Sequence, residues 1–171
     1  MDISGLLIFA GALLVAAGSP GPNVAALVAR VIARGWRDVI PFVAAMWLGE
    51  ALWLALAVYG LAALAEALHG AFLVVKYLGV AYLLYLAWKM WFAPVAIHAE
   101  SPAPRPGSSA RMFLAGLAVT LGNPKIMVFY LALLPTIIDL AGITLVAWLE
   151  LTCTMLVVLA VIDHVAGSHA E

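Results

Sequence analysis

The stretch AAGSPGPNVAAL, Ala16 to Leu27, interrupts what is otherwise one apolar segment. Mostly apolar residues precede it from Ile3 and follow it to Ala33. Pro20 and Pro22 each lack an amide hydrogen and clash with the preceding helical turn. Gly18 and Gly21 lower the resistance of the helix to opening at the same place. Two prolines and two glycines together predict an unwound segment, where a single proline would predict a kink. Unwound backbone at membrane depth is tolerated only where it faces protein or a wet cavity. The stretch therefore bears on function as well as on fold.

The rest of the chain supports a membrane setting. Of its 171 residues 67% are hydrophobic and 10% charged, with a mean hydropathy of +1.14. A soluble domain carries about a quarter charged residues, so this chain lacks the charge to coat itself in water. The apolar runs are unbroken rather than alternating, which selects helices over a transmembrane barrel. A net charge of -1 gives no electrostatic support for nucleic-acid binding. The four histidines fall in loops or the tail without paired spacing, so no metal site and no cofactor is expected. Asp2 stands before the first apolar run with no Lys or Arg, unlike a signal peptide, so that run is expected to stay as a span.

A bilayer core about 30 Å thick needs about 20 apolar helical residues. Five segments meet this, at 3–33 (interrupted), 39–63, 71–92, 112–135 and 142–162. The expected fold is an all-α, polytopic transmembrane helical bundle of about five spans. Arg30, Arg34 and Arg37 follow the first span, and Lys89, Arg105 and Arg111 flank the link between the third and fourth. By the excess of positive charge in cytoplasmic loops, the N-terminus is expected outside and the C-terminus inside the cell. The link APVAIHAESPAPRPGSSA, Ala93 to Ala110, is rich in Pro, Ala and Ser and reads as flexible. It divides the chain into a three-span part (1–92), a cytoplasmic linker (93–111) and a two-span part (112–171).

A second interruption lies in the fourth span, in TLGNPKIMVF, where Gly122, Asn123, Pro124 and Lys125 fall near the middle. Paired Gly/Pro breaks at corresponding positions point to a transporter built from inverted repeats. Asn23 and Asn123 stand 100 positions apart, as do Glu50 and Glu150, each acid with a Trp-Leu lead-in (MWLGEALWL, VAWLELTCT). An opened helix leaves free carbonyls on one side of the break and free amides on the other. The first suit an ammonium group and the second a carboxylate, and a zwitterionic amino acid offers both.

The candidate substrate and proton pathway therefore comprises Pro20, Gly21, Pro22, Asn23, Glu50, Asn123, Pro124, Lys125 and Glu150. An ionisable group within a span costs roughly 3 kcal/mol on insertion scales, which marks Glu50, Glu150 and Lys125. A glutamate at such depth suits proton coupling, or serves only to hydrogen-bond a neighbouring helix. Lys125 pairs with a glutamate, holds a substrate carboxylate, or snorkels towards water. Asn23 and Asn123 cap the half-helices or touch the ligand. Most of the Tyr and Trp residues are explained by an aromatic belt and core packing.

The pieces SPGPN (19–23), ARGWRD (33–38), LGE (48–50), KYLGVAYLLYLAWKMW (76–91) and GNPKIMVFYLALLP (122–135) occur in this order. In them the chain resembles the lysine exporter (LysE/RhtB) family of bacterial amino-acid exporters. The resemblance implies a secondary transporter in the inner membrane that exports amino acids or related metabolites, driven by proton exchange. Its partners would be the lipid bilayer, the small-molecule substrate and protons. Family members usually carry a sixth span, which is not found before the chain ends at VIDHVAGSHAE. A homo-oligomer or a partner chain supplying that helix is one expectation. A truncated, transport-inactive subunit or assembly partner is the alternative. Export of a metal cation through Glu50 and Glu150 is disfavoured by the nearby positive charge of Lys125.

Overall fold

The computed structural model describes residues 2–60, 108–139 and 143–168, with positions 74, 77, 78, 81, 84, 85 and 88 between them. The expected third span, the linker up to Gly107, and Glu66, His69, Lys76, Lys89, His98, Arg105 and His169 otherwise lie outside these residues. All described elements are helical. Helix α1 spans Ile3–Gly18, α2 Pro22–Arg34 and α3 Trp36–Ala55, the last running into a wide π turn over Leu56–Gly60. After the linker come α4 (Ser109–Leu121) and α5 (Pro124–Val128). A π turn (Phe129–Leu133) joins α5 to the single turn α6 (Leu134–Ile137), and α7 spans Leu145–Ser168.

Two helices, Trp36–Gly60 and Leu145–Ser168, are each long and apolar enough to cross a membrane. Two further spans are bent pairs. Ile3–Gly18 and Pro22–Arg34 meet at 58°, and Ser109–Leu121 and Pro124–Ile137 at 50°. The chain forms a helical membrane bundle in which the first span and the one after the linker are broken, as the Pro/Gly pattern predicts.

Local chemistry sets the helix ends. Asp2 caps α1 by accepting from the Gly5 amide at 2.7 Å, and Ser108 caps α4. Pro22 and Pro124 stand in the first turn of α2 and α5, where a missing amide hydrogen costs nothing. Gly35, at φ 77°, makes the left-handed corner between α2 and α3.

Span boundaries differ from the sequence expectation by a few residues at several ends. Helix α3 starts at Trp36 rather than 39, because the glycine corner lets the helix begin at once. The fourth span starts at Ser109 rather than 112, where the Ser108 cap opens it. Helix α7 continues to Ser168 rather than 162. Its buried stripe runs Leu151, Met155, Leu159, Asp163, Gly167, so the polar-looking end DHVAGS still packs inward.

Helices α3 and α4 make the most extensive pairing among the described residues, and small side chains allow it. A Cβ on Gly116 would overlap the Phe42 carbonyl oxygen, and one on Gly49 would come within 2.8 Å of Thr120 Cγ2. Ala45 and Gly49 face Gly116 and Thr120, a small-xxx-small arrangement on each helix. In lipid such close backbone approach replaces the hydrophobic drive that packs helices in water. Gly167 of α7 lies against the Trp36 ring at one end of the bundle, and Trp148 meets Tyr59 at 6.3 Å at the other. Two apolar clusters flank the middle. One gathers Phe9, Leu13, Leu54, Phe129, Leu151 and Met155, the other Leu27, Val31, Phe42, Met46 and Met112.

Candidate functional site

The two breaks lie side by side. Asn123 Nδ2 donates to Asn23 Oδ1 at 2.9 Å, and Asn23 Nδ2 donates to Thr120 Oγ1 at 3.1 Å. All three side chains are buried. Asn123 also caps α5, its Oδ1 accepting from the Lys125 amide at 3.0 Å. One asparagine thus starts a half-helix and ties it to the other break. Asn23 lies inside α2, behind the Gly21 cap position, and serves only as the tie.

Lys125 crosses from the second break to the first. Its ammonium donates to Ser19 O at 2.8 Å and Ser19 Oγ at 2.9 Å. Ser19 follows the last turn of α1, where unpaired carbonyls and the negative dipole end favour a cation. The hydroxyl of Ser19 donates in turn to Ala16 O at 2.9 Å. Gly21 makes room for this contact, since a Cβ there would stand 3.0 Å from Lys125 Nζ. The structure thus shows Lys125 holding the opened end of α1, a contact that the sequence reading did not foresee.

Beside these breaks is a cavity enclosing about 540 Å3, its mouth included. Gly21, Asn23, Asn123 and Lys125 line it from the breaks, and Glu50 from the middle of α3. Glu50 is 4% exposed and accepts from Tyr130 Oη at 3.0 Å. Tyr130 belongs to the π turn after α5, where the adjacent Phe129 and Tyr130 are both buried and their rings pack edge to face at 5.0 Å. Such turns widen a helix locally and recur at functional sites. Apolar side chains, among them Leu13, Met46, Ile126, Phe129 and Leu159, form most of the remaining wall.

The other candidates sit elsewhere. Pro20, Pro22 and Pro124 are exposed and shape the backbone rather than line the cavity. Glu150 is half-buried on α7, one position before the inward-facing Leu151, and is not among the cavity-lining residues. The second acid of the cavity is instead Asp163, 4% exposed, whose Oδ2 accepts from Trp47 Nε1 at 2.8 Å. Sequence reasoning passed over Asp163, Tyr130, Trp47 and Thr120. For Asp163 the signal was present, because it continues the 151, 155, 159 spacing of α7.

Comparison with known proteins gives the family. The sequence matches the LysE type translocator family over residues 14–168. It is 34% identical over 121 residues to a leucine efflux protein of Klebsiella pneumoniae, an alignment covering 70% of this chain and 57% of the relative. To the leucine efflux protein of Salmonella choleraesuis it is 29% identical over 123 residues, 72% of this chain and 58% of the relative. An uncharacterized membrane protein of Synechocystis is 28% identical over 165 residues, covering 96% of this chain and 78% of the relative. The chain thus spans less than two thirds of the leucine efflux proteins it matches. No solved structure matches it. With the family match running from within α1 to the end of α7, the chain belongs to the LysE type translocators.

Proposed function

We propose that the protein is a secondary active transporter that exports amino acids or related metabolites across the bacterial inner membrane by proton antiport. The observation that carries this reading is the meeting of two broken spans, through Asn23 and Asn123, at a cavity that also holds Glu50. A zwitterion needs an anionic seat, a cationic or amide-rich seat, and a wall suited to its side chain. The buried acids of the cavity are placed for the first, the opened helix ends with Lys125 for the second, and the apolar wall for the third.

Discontinuous helices near the middle of the bilayer form a fixed site, around which one repeat rocks against the other to give alternating access. The segments 1–92 and 112–171 are read as the two repeats, joined by the linker 93–111, with the N-terminus outside and the C-terminus in the cytoplasm. In the proposed cycle Glu50 takes a proton from outside and releases it inside. The substrate ammonium and the proton compete for the acidic end of the cavity, so export of one accompanies import of the other.

The relatives named leucine efflux proteins make L-leucine the first substrate to test. Proteoliposomes containing the full chain are loaded with labelled L-leucine and given an inward proton gradient. The expected result is efflux faster than from protein-free liposomes and faster than without the gradient. Efflux equal to the protein-free control contradicts the proposal.

A further inference from the structure

The cavity contains more acidic groups than a single competing carboxylate needs. Glu50 and Asp163 both line it, from α3 and α7 respectively, and both are buried. Each has one oxygen engaged by an aromatic donor, Tyr130 Oη for Glu50 and Trp47 Nε1 for Asp163. Neither second oxygen accepts a hydrogen bond from the described residues. Neither oxygen is among the fully enclosed polar atoms that lack a partner, and both residues border the cavity, so each second oxygen is open to a ligand there. The cationic side chain of the cavity, Lys125, donates to Ser19 O and Oγ rather than to either acid. The Trp47 indole is a neutral donor, which orients Asp163 without cancelling its charge. Indole and carboxylate together leave one fixed acceptor edge bordering the cavity.

Resting on the exporter reading above, we propose that Asp163 is the seat of the substrate's ammonium group, so that Glu50 is left to carry the proton. Trp47 acts as the positioning residue. It stands one turn before Glu50 on α3 and reaches across to α7, so it fixes the second acid relative to the first. The ammonium rests at Asp163 in the outward passage, while Glu50 exchanges its proton. Lys125 and the amide ends of the breaks stay available to the substrate carboxylate. Tyr130 is the remaining titratable group of the cavity wall and holds Glu50 in place.

The test is substrate discrimination in proteoliposomes of the full chain, read as inhibition of labelled L-leucine counterflow. Leucinamide keeps the ammonium and lacks the carboxylate; 4-methylpentanoate keeps the carboxylate and lacks the ammonium. For the wild type, 4-methylpentanoate is expected to compete at least about tenfold more weakly than leucinamide, the scale of one lost charged hydrogen bond. Asp163→Asn should raise the KM for leucine and collapse that gap, while the residual flux still follows an imposed pH gradient. Asp163→Glu should restore the preference for the ammonium. Trp47→Phe should weaken the preference without abolishing it. An Asp163→Asn protein that keeps the full preference overturns the assignment, as does one that loses its response to pH with its leucine KM unchanged. If Asp163→Asn does not fold, a wild type inhibited equally by both analogues overturns it instead. That result leaves the exporter reading standing as long as leucine flux is present, whereas a wild type with no leucine counterflow removes both.

Discussion

Replacing Asn123 by Ala removes two interactions with one substitution. The first is the cap on α5, where Asn123 Oδ1 accepts from the Lys125 amide at 3.0 Å. Loss of such a cap costs about 1 kcal/mol. The second is the donor to Asn23 Oδ1 at 2.9 Å, between two buried side chains. A stranded buried acceptor costs roughly 1–3 kcal/mol, while interhelical hydrogen bonds within membranes average nearer about 0.6 kcal/mol. A total near 2 kcal/mol is expected. The informative quantity is the coupling, obtained from a cycle of Asn23→Ala, Asn123→Ala and the double variant. Unfolding is followed by circular dichroism as sodium dodecyl sulfate is titrated into mixed micelles. The expected coupling is about 0.6–1 kcal/mol, because the cap term appears in both arms and cancels. Thr120→Val should couple to Asn23 in the same way, since Asn23 Nδ2 donates to Thr120 Oγ1. Additive effects of Asn23→Ala and Asn123→Ala, within about 0.3 kcal/mol, would refute the idea that this pair ties the two breaks together.

Gly116→Ala should destabilise the bundle by about 2 kcal/mol in the same titration, because its Cβ would meet the Phe42 carbonyl and backbone cannot step aside. Gly11→Ala, with open space around it, should be neutral or slightly stabilising. A cysteine placed at exposed Arg111, in a Cys153→Ser background, should react with a membrane-impermeant maleimide in inverted vesicles and not in intact cells. Labelling from outside intact cells would reverse the assigned orientation.

The parts of this molecule that were readable from sequence are those written as strong local chemistry. Prolines and glycines cannot hide inside a helix, so both breaks were visible at 18–22 and 122–124. A lone glutamate in a run of apolar residues was equally plain, and Glu50 lies at the cavity. What sequence could not supply was rotation about each helix axis. Glu50 and Glu150 look equivalent as strings, each after Trp-Leu. Yet Leu151 takes the inward position on α7, which leaves Glu150 half-buried and off the cavity wall. Asp163 was hidden for the opposite reason. It sits among polar residues that read as the end of a span, although it continues the 151, 155, 159 spacing along which α7 runs on to pack Gly167 against Trp36. Tyr130 looked like one more belt aromatic until the π turn that carries it was seen facing Glu50. The direct pairing of Asn23 with Asn123 joins residues 100 positions apart, and the matched spacing signalled correspondence without signalling contact.

The central claim is that Glu50 couples proton movement to export, and Glu50→Gln tests it most directly. The amide keeps the side-chain volume and an acceptor for Tyr130 Oη while fixing the group in a neutral form. Wild-type and Glu50→Gln proteoliposomes are loaded with labelled L-leucine, and efflux is followed after an imposed pH step, with counterflow at equal pH as a measure of intact binding. The account predicts wild-type efflux that accelerates with the inward proton gradient, and a variant that retains counterflow but whose efflux ignores the gradient. A variant whose efflux still follows the pH step as steeply as the wild type would contradict it.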